Sequence, residues 1–287
     1  MRILENKRFV ITGGSQGIGF AVAEKCVSEG AEVIIVARNE GELKESITKL
    51  SSQSTKKHRY YVLDVSDLNA VRVFAQWIVN QKLDLDGLVN CAGVYGPIGK
   101  TSTVDLIEFT KAVNINFLGT VYMCSIFAPL LKSATRKKIV NYSGGGAATP
   151  FSNYSAYATS KIAIVRFTEN LSIELSSDVI DINCVAPGFV ITRLHQQTLG
   201  VGSQTAGEGF YESTKKQIES GGVPPEKAAE LTCFLLSQSS DGITGKFISA
   251  PWDPWQTEEF QNQLRNDKDI ATLRRIDNKT FFKKNTL

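Results

Sequence analysis

The chain has little histidine, little proline and no paired cysteine motif. Two histidines in 287 residues leave almost no material for a His-built metal centre, so no metal site is expected. Eight prolines and an ordinary 23 glycines exclude a fibre or a low-complexity chain. The five cysteines, Cys26, Cys91, Cys124, Cys184 and Cys233, are scattered without a C-x-x-C pair. That excludes zinc-binding and thiol-redox motifs. An odd number of apolar-flanked thiols reads as buried side chains in a reducing compartment. No run of 18 apolar residues occurs, so no membrane span and no membrane partner are expected. Charge of one sign is also missing: 32 basic against 29 acidic residues leave +3, too little to imply a nucleic-acid partner.

What is present is ample apolar material. Hydrophobic residues make up 42% and charged residues 21%, the balance of a folded chain. At about 150 residues per domain the length suggests roughly two domains. The N-terminal MRILENKRFVITGG passes at once into a strand and a glycine-rich loop. It leaves no room for a signal peptide, and the expected location is cytoplasmic.

Short apolar, β-branched runs alternate with helix-period segments. The expected strands are Arg8–Thr12, Glu32–Ala37, Tyr60–Leu63, Gly87–Val89, Lys138–Tyr142, Ile180–Val185 and Lys246–Ser249. Helical patterns cover Gly19–Ser28, Asp67–Asn80, Asp105–Leu131 and Tyr157–Leu175. This order predicts an α/β fold, a doubly wound parallel sheet of about seven strands with helices on both faces, Rossmann-like. Thr192–Pro225, rich in glycine and polar residues, breaks the rhythm and reads as an irregular loop over a site.

Several motifs carry chemistry. TGGSQGIG, Thr12 to Gly19, follows the first strand and opens a helix. Thr12, Gly13, Ser15, Gln16, Gly17, Ile18 and Gly19 would cradle a pyrophosphate against unpaired helix N–H groups. At the end of strand two stands Arg38, where NAD-preferring folds often hold an acid. A cation there favours a 2′-phosphate, hence NADP(H), with NAD(H) second. A solvent-exposed Arg on a turn is the equal alternative. Asp64 and Val65 end strand three, where the carboxylate could accept from an adenine amine or cap a loop. Asn90, with Ala92 and Gly93, ends strand four; the small residues let a cofactor pass, and Asn90 can tie neighbouring strands. Tyr157 and Lys161 lie four apart on one helix face. A nearby ammonium stabilises a phenolate and so lowers a tyrosine pKa.

Taken together, TGGSQGIG, NCAG, YATSK and the later APGFVIT resemble the short-chain dehydrogenase/reductase family, in its motif order, from about Arg8 to Ala250. The resemblance implies a single Rossmann-like domain over 1–250 and a C-terminal extension over 251–287. It implies Tyr157 as acid/base, Lys161 as its tuner and ribose anchor, and Asn116 as holder of a relay water. The family's substrate-binding serine usually stands 13 residues before the tyrosine, at Gly144 here. Ser143, 14 before, is the candidate if the run Gly144–Gly146 absorbs one residue; another donor is the alternative. Pro187, Gly188, Val190 and Thr192 match the segment that contacts the nicotinamide carboxamide.

The implied reaction is hydride exchange between a nicotinamide and a carbonyl or secondary alcohol of a small molecule. Sugar- or nucleotide-linked compounds and ordinary keto metabolites are both open as substrates. The competing readings are a catalytically silent dinucleotide sensor or scaffold, and an epimerase or dehydratase that uses the cofactor transiently. His195, Phe189 and Tyr211 could line the substrate site or merely pack the loop. In the extension, Trp252, Trp255 and Phe260 call for burial on the same or a neighbouring subunit. Arg274 and Arg275 could meet a substrate anion or simply form surface ion pairs. A homodimer or homotetramer through the Asp105 and Tyr157 helices is expected.

Overall fold

The computed structural model describes residues 2–132 and 136–276. Residues 277–287 of the expected extension lie outside the described residues. Seven parallel strands form one sheet in the order β3-β2-β1-β4-β5-β6-β7. They are β1 Arg8–Thr12, β2 Glu32–Ala37, β3 Arg59–Val62, β4 Gly87–Asn90, β5 Lys137–Tyr142, β6 Ile180–Ala186 and β7 Phe247–Ser249. All seven expected strands are present, displaced by a residue at most. The order reverses direction between β1 and β4, and a crevice opens there at the strands' C-terminal ends.

Strand alternation divides the core in two. Phe9, Ile11, Val33 and Ile35 face one side, where α1 Gly17–Ser28, α2 Glu40–Ser52 and α10 Pro225–Leu236 pack. Val10, Ile34, Val36 and Leu88 face the other, against α3 Leu68–Asn80 and α5 Gly119–Phe127. On that second face, α4 Leu106–Val113 runs into α5 through a π-helical turn at Asn114–Leu118. So the expected Asp105–Leu131 helix is continuous but locally underwound, with a wider turn at Asn114–Leu118. Its Leu106–Leu130 run is long and apolar enough, by composition, to cross a membrane. Met123, Cys124 and Phe127 within it are wholly buried in the core, which is where that apolar character is used.

α6 Ser155–Glu174 carries the tyrosine and lysine. The expected irregular stretch after Thr192 is helical instead: α7 Arg193–Val201, α8 Ser203–Ala206 and α9 Glu208–Glu219. Its glycines sit at the joints. Gly202 and Gly207 adopt φ of +79° and +90°, which breaks one helix and starts the next. Isolated polar helices of this length have little apolar period to read, so the sequence looked like loop.

The described part of the extension packs on its own subunit. Trp255 is buried beside Phe234, with ring centroids 5.7 Å apart, and Leu264 of α11 Glu258–Asn266 is buried with it. Beyond α11 the chain crosses β7, where the Phe247 N–H donates to the Ala271 carbonyl at 2.7 Å. Trp252 does not follow the expectation of burial: it is 75% exposed. Phe260 is half-buried against the core. Arg274 pairs with Glu169 and Asp269, at 3.1 and 3.0 Å, so it follows the ion-pairing reading and not the substrate-anion one.

Candidate active site

A groove of about 1170 Å³ opens over the crevice between β1 and β4. Gly13, Ser15, Gln16, Gly17, Ile18 and Gly19 form one wall. Gly19 must be glycine, because a Cβ there would stand 2.3 Å from the Gly13 carbonyl oxygen. That contact lets α1 start hard against the end of β1, with its first N–H groups aimed into the groove. Thr12 lies beneath the wall and is not part of it. Its hydroxyl oxygen accepts from the N–H groups of Cys91 and Ala92 at 3.0 and 3.1 Å, joining β1 to the turn after β4.

Ala92 and Gly93 make the floor, and Asp64 and Val65 the far side. Asp64 also accepts from the Ser66 N–H and hydroxyl, at 2.9 and 2.6 Å, which shapes the turn before α3. Asn90 is buried and ties strands, donating to Asn141 at 2.9 Å. Arg38 stands exposed at the mouth, with no ion pair among the described residues. Two carboxylates unnoticed in the sequence, Glu40 and Glu42, share that mouth. Glu42 accepts from Ser15 at 3.3 Å and pairs with Arg193 at 2.9 Å, reaching from α2 across to α7.

Thr192 lines the groove, whereas Pro187, Gly188 and Val190 stay outside its lining in the turn after β6. His195 accepts from the Thr192 N–H through Nδ1 at 3.3 Å and so caps α7. Burial pulls its pKa down to about 4, which keeps the ring neutral. Phe189 lies against it, with ring centroids 4.0 Å apart. Tyr211 packs in an aromatic cluster with Tyr95, Phe151, Tyr154 and Phe210.

Behind the floor stand Asn116 and Lys161. A Cβ built on Gly93 would meet Asn116 Oδ1 at 3.2 Å and Lys161 Nζ at 3.3 Å. Both are buried. The π-helical turn re-aims Asn116 inward, a recurrent use of such turns at functional sites. Its amide accepts from the Val94 N–H at 2.8 Å and donates to the Val94 carbonyl and Ser160. Lys161 donates to the Tyr142 carbonyl at 3.0 Å. Its ammonium lies 5.5 Å from the centre of the Tyr157 ring, and burial lowers its pKa.

Tyr157 itself is buried, and its hydroxyl has no hydrogen-bond partner among the described residues. The expected lowering of its pKa is absent: burial dominates and pushes the phenol up. A phenol so placed is a proton donor at neutral pH.

Ser143 is directed elsewhere. It is fully enclosed, and its hydroxyl donates to the Lys161 carbonyl at 3.3 Å. The residue that faces the phenol is Gly144, where a Cβ would fall 2.1 Å from Tyr157 Oη. The glycine run absorbs no extra residue. Strand alternation at the end of β5 sends Ser143 under α6 and leaves Gly144 on the open side.

A doubly wound sheet, a glycine-cradled groove and a tyrosine–lysine pair behind its floor define an oxidoreductase of the dinucleotide-binding class. Residues 7–199 match the model of the short chain dehydrogenase family, and the chain belongs to that family. It is 32% identical over 250 residues to a 3-oxoacyl-acyl-carrier-protein reductase of Chlamydia muridarum, covering 86% of this chain and 96% of that one. Two solved structures share the fold. A short chain dehydrogenase of Shigella flexneri complexed with NADP is 24% identical, with a TM-score of 0.76 over 87% of this chain and 99% of that one. NAD+-bound xylitol dehydrogenase is 22% identical, with a TM-score of 0.78 over 86% and 98%.

Proposed function

We propose that the protein reduces a carbonyl of a small molecule, or oxidises the matching secondary alcohol, with NADP(H) preferred over NAD(H). One observation carries this reading: the buried, protonated Tyr157 phenol, without a hydrogen-bond partner among the described residues, beside the Lys161 ammonium and behind the floor of a groove shaped for a dinucleotide. The glycine wall and the N–H groups at the start of α1 fit a pyrophosphate. Arg38 at the mouth favours a 2′-phosphate, and the adjoining Glu40 and Glu42 temper that preference. When bound, the reduced cofactor supplies a hydride.

The chain's own groups do the rest. Tyr157 gives its proton to the oxygen of the former carbonyl. Lys161 then stabilises the phenolate left behind. Asn116 holds the turn around Val94, and a water beside it would return a proton from solvent. The substrate lies under α7–α9, which close over the aromatic cluster; opening at Gly202 and Gly207 admits it. The five unpaired thiols fit a reducing compartment, here the cytoplasm.

The test is the full chain assayed with NADPH and, separately, NADH against benzil and ethyl acetoacetate. Tyr157→Phe is expected to cost about 10²–10⁴-fold in kcat, the usual worth of a general acid. NADPH should give the higher kcat/KM. Equal turnover by wild type and variant would remove Tyr157 from the chemistry. Two copies meeting through α4 and α6 account for Leu106, Ile107 and Ile162, which are 65%, 68% and 43% exposed. Light scattering that finds only monomer at micromolar concentration would refute that assembly.

A further inference from the structure

A carbonyl oxygen that is gaining charge is best held by two donors, one of which gives up its proton while the other does not. Tyr157 is the first. The end of β5 offers no second: Ser143 turns away, and any side chain at position 144 would collide with the Tyr157 hydroxyl. The other wall does offer one. Tyr95 follows the Gly93–Val94 floor by one residue, so the same turn that seats Asn116 fixes its backbone. Its ring meets that of Tyr157 edge to face, with centroids 4.8 Å apart and planes at 86°.

Tyr95 is 4% exposed, yet its hydroxyl makes no hydrogen bond among the described residues. The neighbouring phenol is different: Tyr154 donates to the Thr198 hydroxyl at 2.9 Å. The Tyr95 oxygen is not one of the sealed, unsatisfied polar atoms, so the small exposure of this residue reaches its hydroxyl, and a ligand's acceptor can meet it there. Burial also pushes the Tyr95 phenol up, with the nearby phenols of Tyr157 and Tyr154 adding to it, so it keeps its proton.

Resting on the proposed carbonyl reduction, we propose that Tyr95 is the second hydroxyl donor to the substrate oxygen, in the role a serine would fill. As the carbonyl carbon takes the hydride, the C=O π pair moves onto oxygen. That oxygen takes the Tyr157 proton, the nicotinamide is oxidised, and the carbonyl becomes an alcohol. Tyr95 donates a hydrogen bond throughout and loses no proton. The ring of Tyr95 packs; only its hydroxyl is assigned this role.

Tyr95→Phe separates the two contributions, because it keeps the ring and removes the oxygen. The full chain is assayed with NADPH and benzil or ethyl acetoacetate, with the melting temperature read alongside. Tyr95→Phe should lower kcat about 10- to 10³-fold, with KM within a few-fold of wild type and an unchanged melting temperature. Tyr157→Phe is the reference for loss of the acid. If Tyr95→Phe retains wild-type kcat while Tyr157→Phe is inactive, the Tyr95 assignment falls and the reading of the site stands. If Tyr157→Phe is as active as wild type, or wild type reduces neither ketone, the reading falls and takes Tyr95 with it.

Discussion

The two walls of the site are built on opposite plans. Beneath and behind the dinucleotide-shaped groove the buried polar side chains are tied to backbone: Thr12 to the turn after β4, Lys161 to Tyr142, Asn116 to Val94. On the aromatic wall Tyr154 is bonded to Thr198, but two polar tips make no hydrogen bond among the described residues. Tyr95 and Tyr157 present unbonded hydroxyls, and the cover above them is three short helices joined at glycines. A wall that binds one invariant molecule can satisfy its groups internally and stay rigid. A wall that must accept, hold and release a reacting oxygen keeps its donors unspent.

Gly144 lies on the boundary between the walls, and Gly144→Ser is the largest way to break the contrast. It restores a serine at the spacing the family uses. Here the added Cβ would sit 2.1 Å from Tyr157 Oη and 2.9 Å from Cζ, so the phenol must move. A misplacement of about 1 Å in a reacting group costs on the order of 100-fold in rate. Gly144→Ser should therefore lower kcat about 100-fold while NADPH affinity, read by titration, stays within a few-fold. A variant as fast as wild type would show that the phenol wall yields easily, and the contrast with the rigid wall would fail.

The same contrast explains what the sequence made legible. The parallel sheet and the glycine cradle follow from local rules: β-branched runs of three to six residues, a glycine triplet between strand and helix, and Tyr157 with Lys161 one helical turn apart. Asn116 was legible only through family resemblance, because a π-helical turn aims it inward and no periodicity announces one. The substrate wall was misjudged where register decides. Ser143 and Gly144 are adjacent in sequence, but opposite faces of a strand end put one under α6 and the other beside the phenol. Tyr95 carried no signal beyond following the NCAG turn. Glu42 and Arg193 are 151 residues apart and meet only through the tertiary fold. The polar helices α7–α9 gain their order from the aromatic cluster beneath them, through Leu194, Ala206 and Phe210, rather than from a pattern of their own.

The smaller test concerns how the cover is pinned. His195 Nδ1 accepts from the Thr192 N–H, so α7 starts correctly only while the ring is neutral. Tyr95 and Phe189 rings face it, and burial alone lowers its pKa to about 4 from the ordinary 6.5. A depressed folded-state pKa means the unfolded or opened chain binds the proton first. The contribution is complete above pH 6.5, the opened-state pKa, and is lost as pH falls from there through about 4. Fully expressed, a difference of this size is worth at most about 3 kcal/mol. Amide hydrogen exchange across α7–α9 should therefore lose protection, relative to β1 and β4, as pH drops through that window after correction for intrinsic exchange. A His195→Gln variant removes the titration, so its cover should show no such step. Protection that falls equally in the sheet and the cover would mean that the two walls open together and that His195 pins neither.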